Sequence, residues 1–145
     1  MPNEVSARVG EARSFPNIAA AVADARRFTR EQLEEADPDL VDEIVTMVSE
    51  LAANCVQHAR TQFRVEIDCR PDEISVEVAD DGAGAPTSKS PGPTEVSGRG
   101  LLIVSRLASS WGVRSSEVGQ GKTVWFTVRI ASRLASPDPR RAARA

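Results

Sequence analysis

Two cysteines, one histidine and no tyrosine among 145 residues close several routes to function. Cys55 and Cys69 have neither CxxC spacing nor the density of a disulfide framework, and both read as buried thiols. With His58 the sole histidine, a His-rich metal site is excluded and a Ser-His-Asp triad has no further support. Excess positive charge is missing too. The formal charge is −3, which argues against a surface that holds nucleic acid by neutralising phosphates. No run approaches the roughly 20 apolar residues of a membrane span. The N-terminus MPNEVSARVGEARSF lacks the basic-then-apolar order of a secretory signal. The expectation is a cytoplasmic protein without direct contact to membrane or nucleic acid. Aromatics are scarce at 4%, but Val, Ile, Leu and Ala bring the apolar fraction to 41%. A chain of this length can then bury a continuous core as one domain.

Periodicity divides the chain. Phe15 to about Ala36 reads as a helix, with Ile18, Val22, Ala25 and Phe28 at helical spacing. Asp37-Pro38-Asp39 breaks it, and a second helix runs from about Pro38 to Ala59 with Ile44, Val48, Leu51 and Cys55 as its core stripe. Phe63–Asp68 and Glu73–Val78 alternate apolar with polar residues around Arg70-Pro71-Asp72, the pattern of a hairpin. Residues 81 to 96, rich in Gly, Pro and Ser, read as a long loop. A third helix, Leu101 to Ala108, precedes strands at Trp111–Val118 and Thr123–Ile130. The sheet has about four strands, or five if Val5–Val9 pairs at an edge. Residues 1–131 make one domain, and 132–145 are expected to be a disordered, Arg-rich tail.

Chemistry concentrates at three places. Glu50 and Asn54, four residues apart, project from one face of the second helix, flanking its core stripe. The Asn54 amide oxygen suits Mg2+, a hard ion that completes its shell with waters and phosphates. Glu50 can orient or deprotonate a hydroxyl or a water. Asp80 ends a strand before Gly82 and Gly84, in a turn where a carboxylate can accept an adenine amino group and glycines let a flat ring approach. Gly98-Arg99-Gly100 opens the third helix, whose unpaired N–H groups attract phosphate. Each place alone also has an ordinary reading: a solvated helix face, a common Asp-Asp-Gly turn, a loop entering a helix. Neither a Walker A loop nor a dinucleotide fingerprint is present, since Gly121-Lys122-Thr123 enters a strand.

In order, Glu50-Leu51-Ala52-Ala53-Asn54, Val78 to Pro86 and Gly98 to Val104 resemble the N box and the two glycine boxes of the GHKL (Bergerat-fold) ATPases. The short chain and the ending Gly121-Lys122-Thr123-Val124-Trp125-Phe126 look most like the stand-alone anti-sigma-factor serine/threonine protein kinases. The resemblance covers about Ala12 to Ile130. It implies a two-layer α/β sandwich, with three helices on one face of a mixed sheet of four to five strands. It also implies ATP and Mg2+ as cofactors, with Asn54 on the metal, Glu50 as general base and Asp80 reading adenine. Gly82, Gly84, Gly98, Arg99, Gly100, Leu101 and Thr123 would complete the nucleotide site, though Lys122 interrupts the family's Gly-Thr element. Implied partners are a sigma factor, a small antagonist protein phosphorylated on serine, and a second copy of the chain. A non-catalytic nucleotide-gated binding module, or an ATPase module for a separate phosphoacceptor histidine, would use the same nucleotide residues.

Overall fold

The period-two segments become the middle of a sheet and the period-3.6 segments its cover. The computed structural model describes residues 10–59, 61–82, 98–115 and 121–130. Its elements are β1 (Glu11–Phe15), α1 (Ala20–Gln32), α2 (Pro38–Asn54) with a π-helical turn (Cys55–Ala59), β2 (Phe63–Cys69), β3 (Glu73–Asp80), α3 (Gly98–Leu107), β4 (Ser110–Ser115) and β5 (Lys122–Arg129). The strands form one sheet in the order β1-β2-β3-β5-β4.

Alternation sends Phe63, Val65 and Ile67 of β2, Ile74, Val76 and Val78 of β3, and Val124, Phe126 and Val128 of β5 to one buried face. Against it pack Ala25 and Phe28 of α1, Val104 of α3, and Ile44, Val48, Leu51 and Cys55 of α2, all buried. The expected α2 stripe is the one observed. Asp37 caps this helix, its carboxylate accepting the N–H groups of Asp39 and Leu40 at 3.1 and 3.2 Å, and Pro38 fills the first turn.

The α/β sandwich matches the expected class, but the described strand pairs are all antiparallel where a mixed sheet was expected. The crossover through α3 does return β4 parallel to β3. β5 then inserts between them, so the two parallel strands never share hydrogen bonds.

The first helix is also shorter than its periodicity implies. Residues 11–15 form an edge strand on β2, where Phe15 pairs with Phe63 and stacks on it at 5.3 Å, with its edge to Phe28. Burying that ring outweighs continuing the helix. Ile18, expected in the stripe, is 52% exposed, and Ala21, Ala25 and Phe28 form the core side of α1. The alternative edge strand at Val5–Val9, the long loop except for Asp81 and Gly82, and the tail beyond residue 131 lie outside the described residues. Cys55 is buried as expected, whereas Cys69 is half-buried, its thiol donating to the Gln32 carbonyl at 3.8 Å.

Candidate functional site

Glu50 and Asn54 lie half-buried at the C-terminal end of α2, and the first turn of α3 packs directly upon them. A Cβ added to Gly100 would stand 2.8 Å from Nδ2 of Asn54 and 3.7 Å from Cβ of Glu50. A side chain at residue 100 would have to push the Asn54 amide aside. The contact sets the first turn of α3 against the Asn54 amide and the Glu50 side chain, with the positive end of the helix dipole toward them. Immediately after Asn54 the helix widens into its π-helical turn, a distortion that occurs most often at functional sites.

Asp80 is the last residue of β3 and follows Ile74, Val76 and Val78 on the helix-covered face. The chain beyond it is held in three ways. The Asp81 N–H donates to the Thr61 hydroxyl at 3.1 Å. Gly82 takes a φ of 58°, in the left-handed region that favours glycine. Gly121 presses against the Asp80 carbonyl, leaving no room for a side chain there. The Asp80 carboxylate accepts the backbone N–H groups of Gly82 and Lys122. An ionised carboxylate has about four acceptor positions, so it can take a further donor such as an exocyclic amino group.

Burial raises the Asp80 pKa above its ordinary 3.8, Asp81 adding to the shift; the Lys122 charge and the two N–H bonds oppose it. A carboxyl that keeps its proton to higher pH when folded stabilises the fold fully below 3.8, and the contribution is lost as pH rises through the raised value. Above that value the buried, ionised Asp80 costs stability. Asp80→Asn is expected to raise the melting temperature at pH 7, to flatten its dependence on pH in the acid range, and to weaken nucleotide binding. Melts across pH with parallel calorimetry check this; a lower melting temperature at pH 7 would contradict it. Nearby, burial and the Asp80 charge push the Cys55 thiol up to about 12, so it stays protonated.

The structure thus brings Glu50, Asn54, Gly98, Gly100 and Leu101 together where α2 meets α3. Asp80 and Gly82 sit at the end of β3, close to Cys55, the residue following Asn54. Leu101 packs its side chain against the core, so only its backbone is offered to a ligand. Gly84 and the Arg99 side chain lie outside the described residues. Thr123 is not brought to the site. It pairs with Ala79, and alternation turns both to the sheet face opposite Asp80. Lys122, which pairs with Asp80, occupies the place expected for Thr123. His58 is exposed in the π-helical turn.

Three contributors were not legible beforehand: Thr61, Gly121, and Lys122 as a neighbour of Asp80. The signal for Lys122 was the strand period itself, which assigns alternate residues of 122–129 to opposite faces. Thr61 acts through its hydroxyl on the Asp81 N–H and Gly121 through its closeness to the Asp80 carbonyl, contacts that no local pattern announces.

An acceptor at a strand end, a helix start that carries glycine at residues 98 and 100 and an amide-carboxylate pair beneath it are the parts of an α/β nucleotide-binding domain. No curated protein matches the chain. Among solved structures, the histidine kinase AdeS of Acinetobacter baumannii is similar over 88% of this chain and 71% of that one, at 14% identity and a TM-score of 0.43. The family model described as a histidine kinase-like ATPase domain matches residues 15–128. The chain belongs to that family, within the GHKL superfamily, and is an ATP-binding domain of the GHKL type. The residues present fit Mg-ATP. Among the described residues no group of three or more His, Cys, Asp or Glu is arranged to hold a metal. An amide oxygen such as that of Asn54 would be the protein's share of a Mg2+ shell that phosphates and waters complete. No helix among the described residues is long and apolar enough to cross a membrane.

Proposed function

We propose that the chain is an ATP-dependent protein-serine kinase that phosphorylates a small antagonist protein and binds a sigma factor. The observation that carries this reading is Glu50 beside Asn54 under the first turn of α3. A module that only binds nucleotide needs the amide and the helix start, but has no use for a carboxylate at that spot.

Bound Mg-ATP supplies the transferable phosphoryl group and the cation that neutralises it. The chain's own residues do the rest. Asp80, oriented by the Gly82 and Lys122 N–H groups, accepts the base's amino group. The start of α3 offers N–H groups to phosphate oxygens. Asn54 would hold the metal through its amide oxygen, and Glu50 would take the proton from an acceptor hydroxyl as that oxygen bonds to the γ-phosphorus and ADP leaves.

The family fits an ATPase module for a separate phosphoacceptor histidine equally well, and one assay separates the readings. Purified protein is incubated with labelled ATP, the antagonist protein and a histidine-bearing phosphoacceptor domain. The proposal expects acid-stable phosphoserine on the antagonist. Acid-labile phosphohistidine, or nucleotide binding with no transfer, would overturn it.

A further inference from the structure

Between α1 and α2 runs a groove of about 270 Å3, lined among others by Arg26, Arg30, Asp42, Thr46, Ser49 and Glu50. It abuts the carboxylate assigned above to take the acceptor's proton. Its volume falls just below the roughly 300–1,000 Å3 of small-molecule pockets, which suits one or two side chains of a docked protein better than a second nucleotide. The two arginines are in different electrostatic positions. Arg30 lies 3.2 Å from the Asp42 carboxylate, so its charge is matched inside the groove. Arg26 donates to the Ser49 hydroxyl at 3.1 Å, a neutral acceptor. Ser49 immediately precedes Glu50 on α2, so this guanidinium is anchored one residue from the proposed base.

We infer that the groove receives an acidic side chain of the protein substrate, bound by Arg26 within a few residues of the serine that is phosphorylated. The identity of the occupant rests on the kinase reading above. A guanidinium carries five N–H donors in a planar fork, so the bond to Ser49 leaves most of them for a carboxylate. That same bond restrains a long side chain that would otherwise lose its freedom on binding. With Arg30 neutralised, Arg26 is the groove's cation without an acidic partner among the described residues, while Glu50 lines the same groove at the end toward α3. A lysine-flanked serine would meet like charge at Arg26, which gives the groove selectivity as well as attraction.

Fluorescence anisotropy tests this with two labelled probes, a serine peptide flanked by glutamates and the same peptide flanked by lysines. The wild type is expected to bind the glutamate peptide, less tightly as salt rises, and not the lysine peptide. Arg26→Glu should weaken glutamate-peptide binding about tenfold, since reversal replaces an attraction with a repulsion, and Arg26→Gln should give an intermediate loss. Arg27→Glu makes the same change in net charge outside the groove, where Arg27 pairs with Asp24 at 3.3 Å, and should leave binding unchanged. Absent binding of the glutamate peptide, equal binding of the lysine peptide, or equal losses in the Arg26 and Arg27 variants would overturn the inference. Calorimetry with Mg-ATP on the same samples keeps the two claims apart. Arg26→Glu must bind nucleotide as the wild type does. A wild type that binds none defeats the kinase reading, while the peptide result still decides the groove.

Discussion

Glu50→Gln is expected to slow phosphoryl transfer to the serine acceptor by about 10²- to 10⁴-fold, the usual contribution of a general base, with Mg-ATP affinity unchanged. The carboxamide keeps the shape that packs beneath Gly100, whose added Cβ would lie 3.7 Å from Cβ of residue 50. What is lost is the ability to take a proton. Single-turnover transfer measured beside nucleotide titration separates the two effects, since an interaction made only in the transition state lowers the rate and not ground-state binding. An unchanged rate would remove Glu50 from the chemistry. A fall in affinity as large as the fall in rate would make it a binding residue instead.

The second large effect is structural. Gly121→Ala would drive a methyl group into the Asp80 carbonyl oxygen, with the Asp81 Cα 3.1 Å away. Both obstacles are backbone, so no rotamer change relieves them. β3 and β5 must part where Asp80 pairs with Lys122. Overpacking of this kind costs about 3 kcal/mol, and for a chain of this size that lowers the melting temperature by roughly 10 °C. The nucleotide site should suffer with the fold, because the displaced strand end carries the Asp80 carboxylate and its Lys122 N–H donor. Gly112→Ala is the control. Its Cβ would meet the Trp125 ring at 2.8 Å, a side chain that can shift, so a smaller drop is expected from thermal melts. Equal drops in the two variants would contradict this account of Gly121.

How far the sequence disclosed this arrangement depends on whether the signal was local. The β2–β3 hairpin was legible because period-two alternation puts Phe63, Val65 and Ile67 on one face and must be buried on that side. Glu50 and Asn54 were legible as a pair because four residues make about one helical turn. Their meeting with Gly98-Arg99-Gly100 was implied only by the order of motifs, and the packing of α3 on α2 supplies its physical form.

What escaped was set by distant partners. Glu11-Ala12-Arg13-Ser14-Phe15 has little intrinsic strand character; it becomes a strand because β2 has a free edge and Phe15 finds Phe63. The antiparallel sheet depends on β5 entering between β3 and β4, a choice no local window encodes. The resemblance carries Thr123 to the site through the family's Gly-Thr element, yet one step along a strand reverses the face, and Lys122 stands across from Asp80 instead. That substitution puts a cation beside the acceptor carboxylate. It partly offsets the effect of burial on Asp80, so the carboxylate ionises more readily than burial alone would allow.

The central claim is that Asn54, Asp80 and the glycine-led start of α3 form one Mg-ATP site. Isothermal titration of the purified chain with Mg-ATP, beside Asn54→Ala, tests it most directly. The account predicts saturable one-site binding by the wild type and loss of Mg-dependent binding in the variant, because the alanine removes the protein's oxygen ligand while the fold, checked by circular dichroism, persists. No heat of binding in the wild type, or equal Mg-dependent affinity in the folded variant, would contradict it.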